Sequence, residues 1–100
     1  MEITVQEVEG RLVAVLSGEL DTAAAAEAEA ALHPLFESTG KGLVIDCTNL
    51  EYIASSGLRI LLNLVKKAKA DGGRVALKGV NDVIRDVLDM TGFTSLFDFE

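Results

Sequence analysis

Apolar and polar positions change their period several times along this chain, and each change marks an element. Ile3 and Val5 alternate with Thr4 and Gln6, which predicts a strand over residues 3–8. Residues 12–16 are continuously apolar, the pattern of a central strand, here over residues 11–17. Glu9 and Gly10 between the two runs predict a hairpin turn. Gly18, Glu19, Leu20 and Asp21 then close the second strand and lead into a helix. Residues 22–37 are rich in alanine, the best helix former and small enough to let a helix lie close to a sheet. Asp21 or Thr22 stands where its N-cap belongs, and Pro34 predicts a kink or break near His33.

After a loop over residues 38–42, Leu43, Val44 and Ile45 run without polar alternation. Residues 43–46 therefore read as a strand buried on both faces. Leu58, Leu61, Leu62 and Val65 fall at the spacing of one helical face, in a helix from Ser55 to about Ala70. Asp71, Gly72 and Gly73 stop it, with Lys66, Lys67 and Lys69 complementing its negative end. Val75 and Leu77 mark a strand over residues 74–78. Asn81 or Asp82 caps a further helix that is apolar at Val83, Ile84, Val87 and Leu88 and ends at Thr91 and Gly92. Phe93, Leu96, Phe97 and Phe99 predict a closing turn and a short last strand. The order is β-β-α-β-α-β-α-β, an α/β domain over residues 1–100 whose later strands pair in parallel through right-handed crossovers.

Composition narrows the partners. The chain has 100 residues and a net charge of -7, which disfavours nonspecific contact with nucleic acid or anionic lipid. Every apolar run is short and interrupted by charge, so neither a signal peptide nor a membrane-spanning helix is expected. The single cysteine, Cys47, excludes an internal disulfide and fits a reducing, cytoplasmic setting. Its place after an apolar strand makes it a packing residue rather than a nucleophile.

Enzyme chemistry finds little support. His33, the one histidine, sits beside Pro34 with no partner for a triad, and no Cys/His cluster has metal-ligand spacing. Gly40, Lys41 and Gly42 resemble a fragment of a phosphate loop but lack its glycine spacing and preceding strand. No catalytic residue, metal or cofactor is expected.

Ser55 and Ser56 remain, where a strand hands over to a helix. A serine there lies among unpaired N–H groups at the positive end of the macrodipole, a place for a plain N-cap or for a phosphate. Neither serine is followed three residues later by Glu or Gln, so no capping box forms. Arg59 lies in the first turn, where a cation opposes the macrodipole unless an anion stands near. Gly57 removes a side chain beside the hydroxyls, which permits close approach by another protein.

These residues, in this order of elements, resemble a STAS domain, and more closely the bacterial anti-sigma factor antagonists. The likeness runs through Gly18 to Asp21, through Leu43 to Asp46, and on by Asn49, Leu50, Tyr52 and Ile53 into Ser55, Ser56, Gly57 and Leu58. It continues in Gly72, Gly73 and the segment from Leu88 to Phe93. The resemblance implies a mixed, mostly parallel sheet with helices packed mainly on one face. It implies a non-enzymatic switch protein that binds an anti-sigma factor, usually also a serine kinase, and so releases a sigma factor. Phosphorylation by that kinase turns the antagonist off and a phosphatase restores it. The family's phosphoacceptor position is Ser55, with Ser56 the runner-up. Asp21, Thr22, Ala54, Ser55, Ser56, Gly57, Leu58 and Arg59 form the implied partner surface, with inward packing on the sheet the alternative for Leu58. The implied protein is a monomer or weak homodimer. Ala54 departs from the pattern by standing where the family carries an aspartate. The alternative is a STAS subunit docked permanently to a transporter ATPase or a sensory assembly, its serines structural.

Overall fold

The computed structural model describes residues 1–100. Its elements are β1 (Glu2–Val8), β2 (Arg11–Leu20), α1 (Ala25–Ala31), α2 (His33–Phe36), β3 (Gly42–Ile53), α3 (Ser55–Ala70), β4 (Arg74–Lys78), α4 (Asp82–Thr91) and β5 (Asp98–Phe99), with one 3-10 turn at Thr94–Leu96. The sheet has the order β1-β2-β3-β4-β5, with β1 antiparallel to β2 and every later pair parallel. A sheet that grows in one direction through right-handed crossovers collects its helices on one face. Ala14, Leu16, Leu43, Ile45, Val75 and Leu77 point to that face and meet Ala28, Leu61, Leu64, Val65, Ile84 and Leu88 from the helices.

The β1–β2 hairpin pairs Val8 with Arg11 across two residues. Glu9 and Gly10 both take positive φ, 52° and 81°, which such a tight turn requires if its twist is to match the strands.

Three elements differ from the pattern-based expectation. The alanine-rich segment breaks beside His33 as Pro34 predicts, but its N-cap is Ala24 and not Asp21 or Thr22. It opens as a turn in which Asp21 Oδ1 accepts the Ala24 N–H at 2.9 Å, and α1 starts only at Ala25. Pro34 lacks an N–H and would crowd the carbonyl one turn back, so the helix breaks at Leu32 and restarts as α2. β2 continues through Gly18 to Leu20 instead of ending at Ser17, and β3 runs to Ile53 instead of ending at Asp46. The two extensions pair with each other, Ser17 with Asn49 and Leu20 with Ile53. Register shifts between Val15 and Ser17 and between Gly18 and Glu19 absorb the surplus residues of β3 as bulges.

Leu43, Val44 and Ile45 are all buried. On the face without helices, the Arg11 stem lies where a Cβ on Gly42 would come within 3.1 Å, and the Arg11 guanidinium pairs with Glu100 at 2.6 Å. That pairing raises the Arg11 pKa and holds the Glu100 carboxyl below its ordinary range.

Cys47 is 1 % exposed within the core. Burial, with a smaller contribution from Asp46, pushes its thiol up to about 12. The thiolate is the nucleophile. Iodoacetamide at neutral pH should therefore leave the folded protein unmodified by mass, and should label Cys47 completely once denaturant opens the core.

Candidate functional site

β3 ends at Ile53, and a single residue, Ala54, turns the chain into α3. Ala54 is extended, with φ -88° and ψ 168°. Its N–H donates to the Leu20 carbonyl at 2.9 Å, and its own carbonyl accepts the Leu58 N–H at 2.9 Å. Ala54 is therefore the N-cap of α3, but it has no side-chain acceptor, and no side chain caps the helix. Ser55 and Ser56 are the first two helical residues, so neither serine is the cap. The first-turn N–H groups stay without a side-chain partner at the positive end of a 16-residue helix. Substituting Ala54 by aspartate should supply the missing acceptor. The expected gain is about 1 kcal/mol, visible as a thermal midpoint roughly 4–8 °C higher.

Ser55 is exposed. Ser56 is half-buried, and its hydroxyl donates to Thr22 Oγ1 at 3.3 Å. That bond joins the mouth of α3 to the loop after β2, where Thr22 is exposed and Asp21 is half-buried. Asp21, Thr22, Ala54, Ser55 and Ser56 thus meet at one end of the sheet, and the paired extensions of β2 and β3 bring them there. Arg59 is exposed one turn further along α3, outside every ion pair of the fold.

Two expected surface residues are interior. Leu58 is 4 % exposed and packs in the core. Gly57 is buried as well, and a Cβ there would stand 2.5 Å from Leu20 Cγ and 2.9 Å from the Leu20 carbonyl oxygen. The glycine serves the close approach of α3 to β2, not the approach of another protein. The inward placement follows from the extra length of β2, which carries Leu20 beneath the first turn of α3.

At Asp21 the site borders a shallow depression lined also by Gly18, Glu19, Glu27 and Glu51. Glu27 and Glu51 were not among the residues read from the chain. Glu51 joins this edge only because β3 continues past Asp46 alongside Glu19. Tyr52, 45 % exposed, adds an aromatic surface on the same strand. His33 lies elsewhere, on α2, with Nε2 3.0 Å from Glu37. The site is a projecting, polar helix mouth with an exposed hydroxyl, acidic on one flank. Its shape suits contact with another macromolecule better than enclosure of a small molecule.

A family model described as the STAS domain matches residues 2–100. A Bordetella bronchiseptica protein named as an anti-sigma factor antagonist, BtrV, is 32% identical over 97 residues, covering 97% of this chain and 84% of its own. The Escherichia coli intermembrane phospholipid transport system binding protein MlaB is 38% identical over 73 residues, covering 69% of this chain and 68% of its own. Among solved structures, an anti-sigma factor antagonist from Mycobacterium paratuberculosis superposes with a TM-score of 0.82 at 28% identity, over 98% of this chain and 83% of that one.

Proposed function

Because this chain belongs to the STAS domain family, we propose that it works as an anti-sigma factor antagonist, switched by phosphorylation of Ser55. The observation that carries the reading is the exposed Ser55 hydroxyl at the uncapped mouth of α3, beside Asp21 and Thr22. The chain-length likeness to a protein named as such an antagonist supports it. In its unmodified form the protein occupies an anti-sigma factor and frees the sigma factor. The anti-sigma factor, acting as a serine kinase, transfers a phosphoryl group to Ser55, and a phosphatase removes it. The chain itself is a kinase substrate and not an enzyme. It needs no cofactor and works in the cytoplasm as a monomer or weak homodimer, without direct contact with nucleic acid or membrane.

The physics is local. A phosphate adds about -1.5 to -2 charges at neutral pH, which the helix mouth accommodates. An interface fitted to a neutral hydroxyl loses that fit. The acids at positions 19, 21 and 51 would deepen the negative field that a partner then meets.

The test is incubation with kinase-type anti-sigma factors and ATP, read by intact mass. One phosphate should appear on the native sequence and none on Ser55→Ala. A phosphate that persists on that variant moves the role to Ser56, and no phosphate from any such kinase ends the switch reading. The likeness to MlaB favours a second reading, stable docking to a transport complex with Ser55 structural. Ala54, in place of the family's aspartate, fits that reading too. Copurification with transporter components and no phosphate would establish it.

A further inference from the structure

α4 is the one helix that turns large apolar side chains outward. Val83 is 55 % exposed and Met90 86 %. Seven residues apart, they stand within about 20° of each other around the helix axis. Val87, half-buried, lies between this stripe and the inward face formed by Ile84 and Leu88. Asp82, Asp86 and Asp89 border the stripe on its other side, all exposed. The one cation of the helix, Arg85, is already engaged: its Nε is 3.6 Å from Asp89 and its guanidinium lies 4.2 Å over the Phe99 ring. The outward face is therefore an apolar strip whose border holds two aspartates, Asp82 and Asp86, outside every ion pair of the fold. Methionine, flexible and polarisable, suits such contact surfaces.

The strip starts beside the strand that leads to Ser55. Asn81 Oδ1 caps α4 by accepting the Ile84 N–H at 2.9 Å, while its Nδ2 donates to the Leu50 carbonyl at 3.0 Å. The beginning of α4 is thus tied to β3 shortly before that strand enters α3.

We propose that this face of α4 is a second docking surface for the anti-sigma factor, and that it receives a segment presenting apolar anchors next to lysine or arginine. Charge complementarity selects the occupant. The acidic border, on a chain of net charge -7, favours a basic segment, whereas a second copy of this chain would set aspartate against aspartate. The inference rests on the reading above only for the identity of the partner.

Binding of purified kinase-type anti-sigma factors from the same cell, measured by calorimetry, tests it. The double variant Val83→Ser/Met90→Ser should weaken affinity about tenfold or more, with an unchanged thermal midpoint because both side chains are exposed. The double variant Asp82→Asn/Asp86→Asn should weaken it about threefold and flatten its salt dependence. If the serine pair binds within about twofold of the native chain while Ser55→Asp binds poorly, the α4 surface is overturned and the Ser55 switch stands. The opposite pattern overturns the switch and keeps the surface. A self-association of the isolated chain that Val83→Ser/Met90→Ser abolishes would make the occupant a second copy and overturn the proposal. Failure of every such anti-sigma factor to bind overturns both readings.

Discussion

Ser55→Asp should weaken binding to the anti-sigma factor more than a hundredfold, about 3 kcal/mol, while leaving the domain folded. The two halves of this expectation have different origins. Aspartate in the first turn of α3 meets the positive end of the macrodipole, and in an exposed position that is worth about 0.3–1 kcal/mol in favour of the fold. The thermal midpoint should stay level or rise. At an interface the same carboxylate must shed water, and it adds to the negative charge of Glu19, Asp21 and Glu51. Calorimetric titration and a thermal melt of one preparation separate the two. Native-like affinity would remove Ser55 from the interface, and a collapsed melt would make it a structural residue.

Gly57→Ala should cost stability instead, by about 2 kcal/mol, lowering the thermal midpoint by roughly 8–16 °C. Alanine gains about 1 kcal/mol over glycine in a helix interior, so the expected loss is what remains after that gain. It arises because the new methyl would sit 2.5 Å from Leu20 Cγ and 2.9 Å from the Leu20 carbonyl oxygen. Leu20 is fully buried, and its carbonyl already accepts the Ala54 N–H, so neither atom retreats freely. A midpoint equal to or above that of the native chain would mean that α3 does not rest on β2 at this point.

The β1–β2 hairpin, the α3 helix, β4 and a cap of α4 at Asn81 or Asp82 were all legible in the chain, because each rests on a local period or a side chain with a defined turn chemistry. The place of Ser55 at a helix mouth was legible for the same reason, while its exposure, and Ala54 as the cap, came from the fold. What the pattern hid depends on pairing between distant segments. Residues 48–52 mix polar and apolar side chains and look like a loop, yet they form a strand because residues 17–20 lie alongside them. The inward roles of Gly57 and Leu58 follow from that pairing, since only an extended β2 places Leu20 under the helix. The outward turn of Val83 was hidden differently. Val83 and Ile84 are adjacent apolar residues on one helix, and only the docking angle of α4 decides that Ile84 is buried and Val83 is not.

The two bulges where β2 and β3 slip past one another have an evolutionary corollary. α3 is keyed to Leu20 at Gly57, and each residue added or removed ahead of it would rotate the helix by about 100° and swing the serine around the axis. The stretch from Thr48 to Ile53 can accordingly vary in its letters far more readily than in its count. Descendants of this protein should tolerate new side chains there while rejecting insertions and deletions.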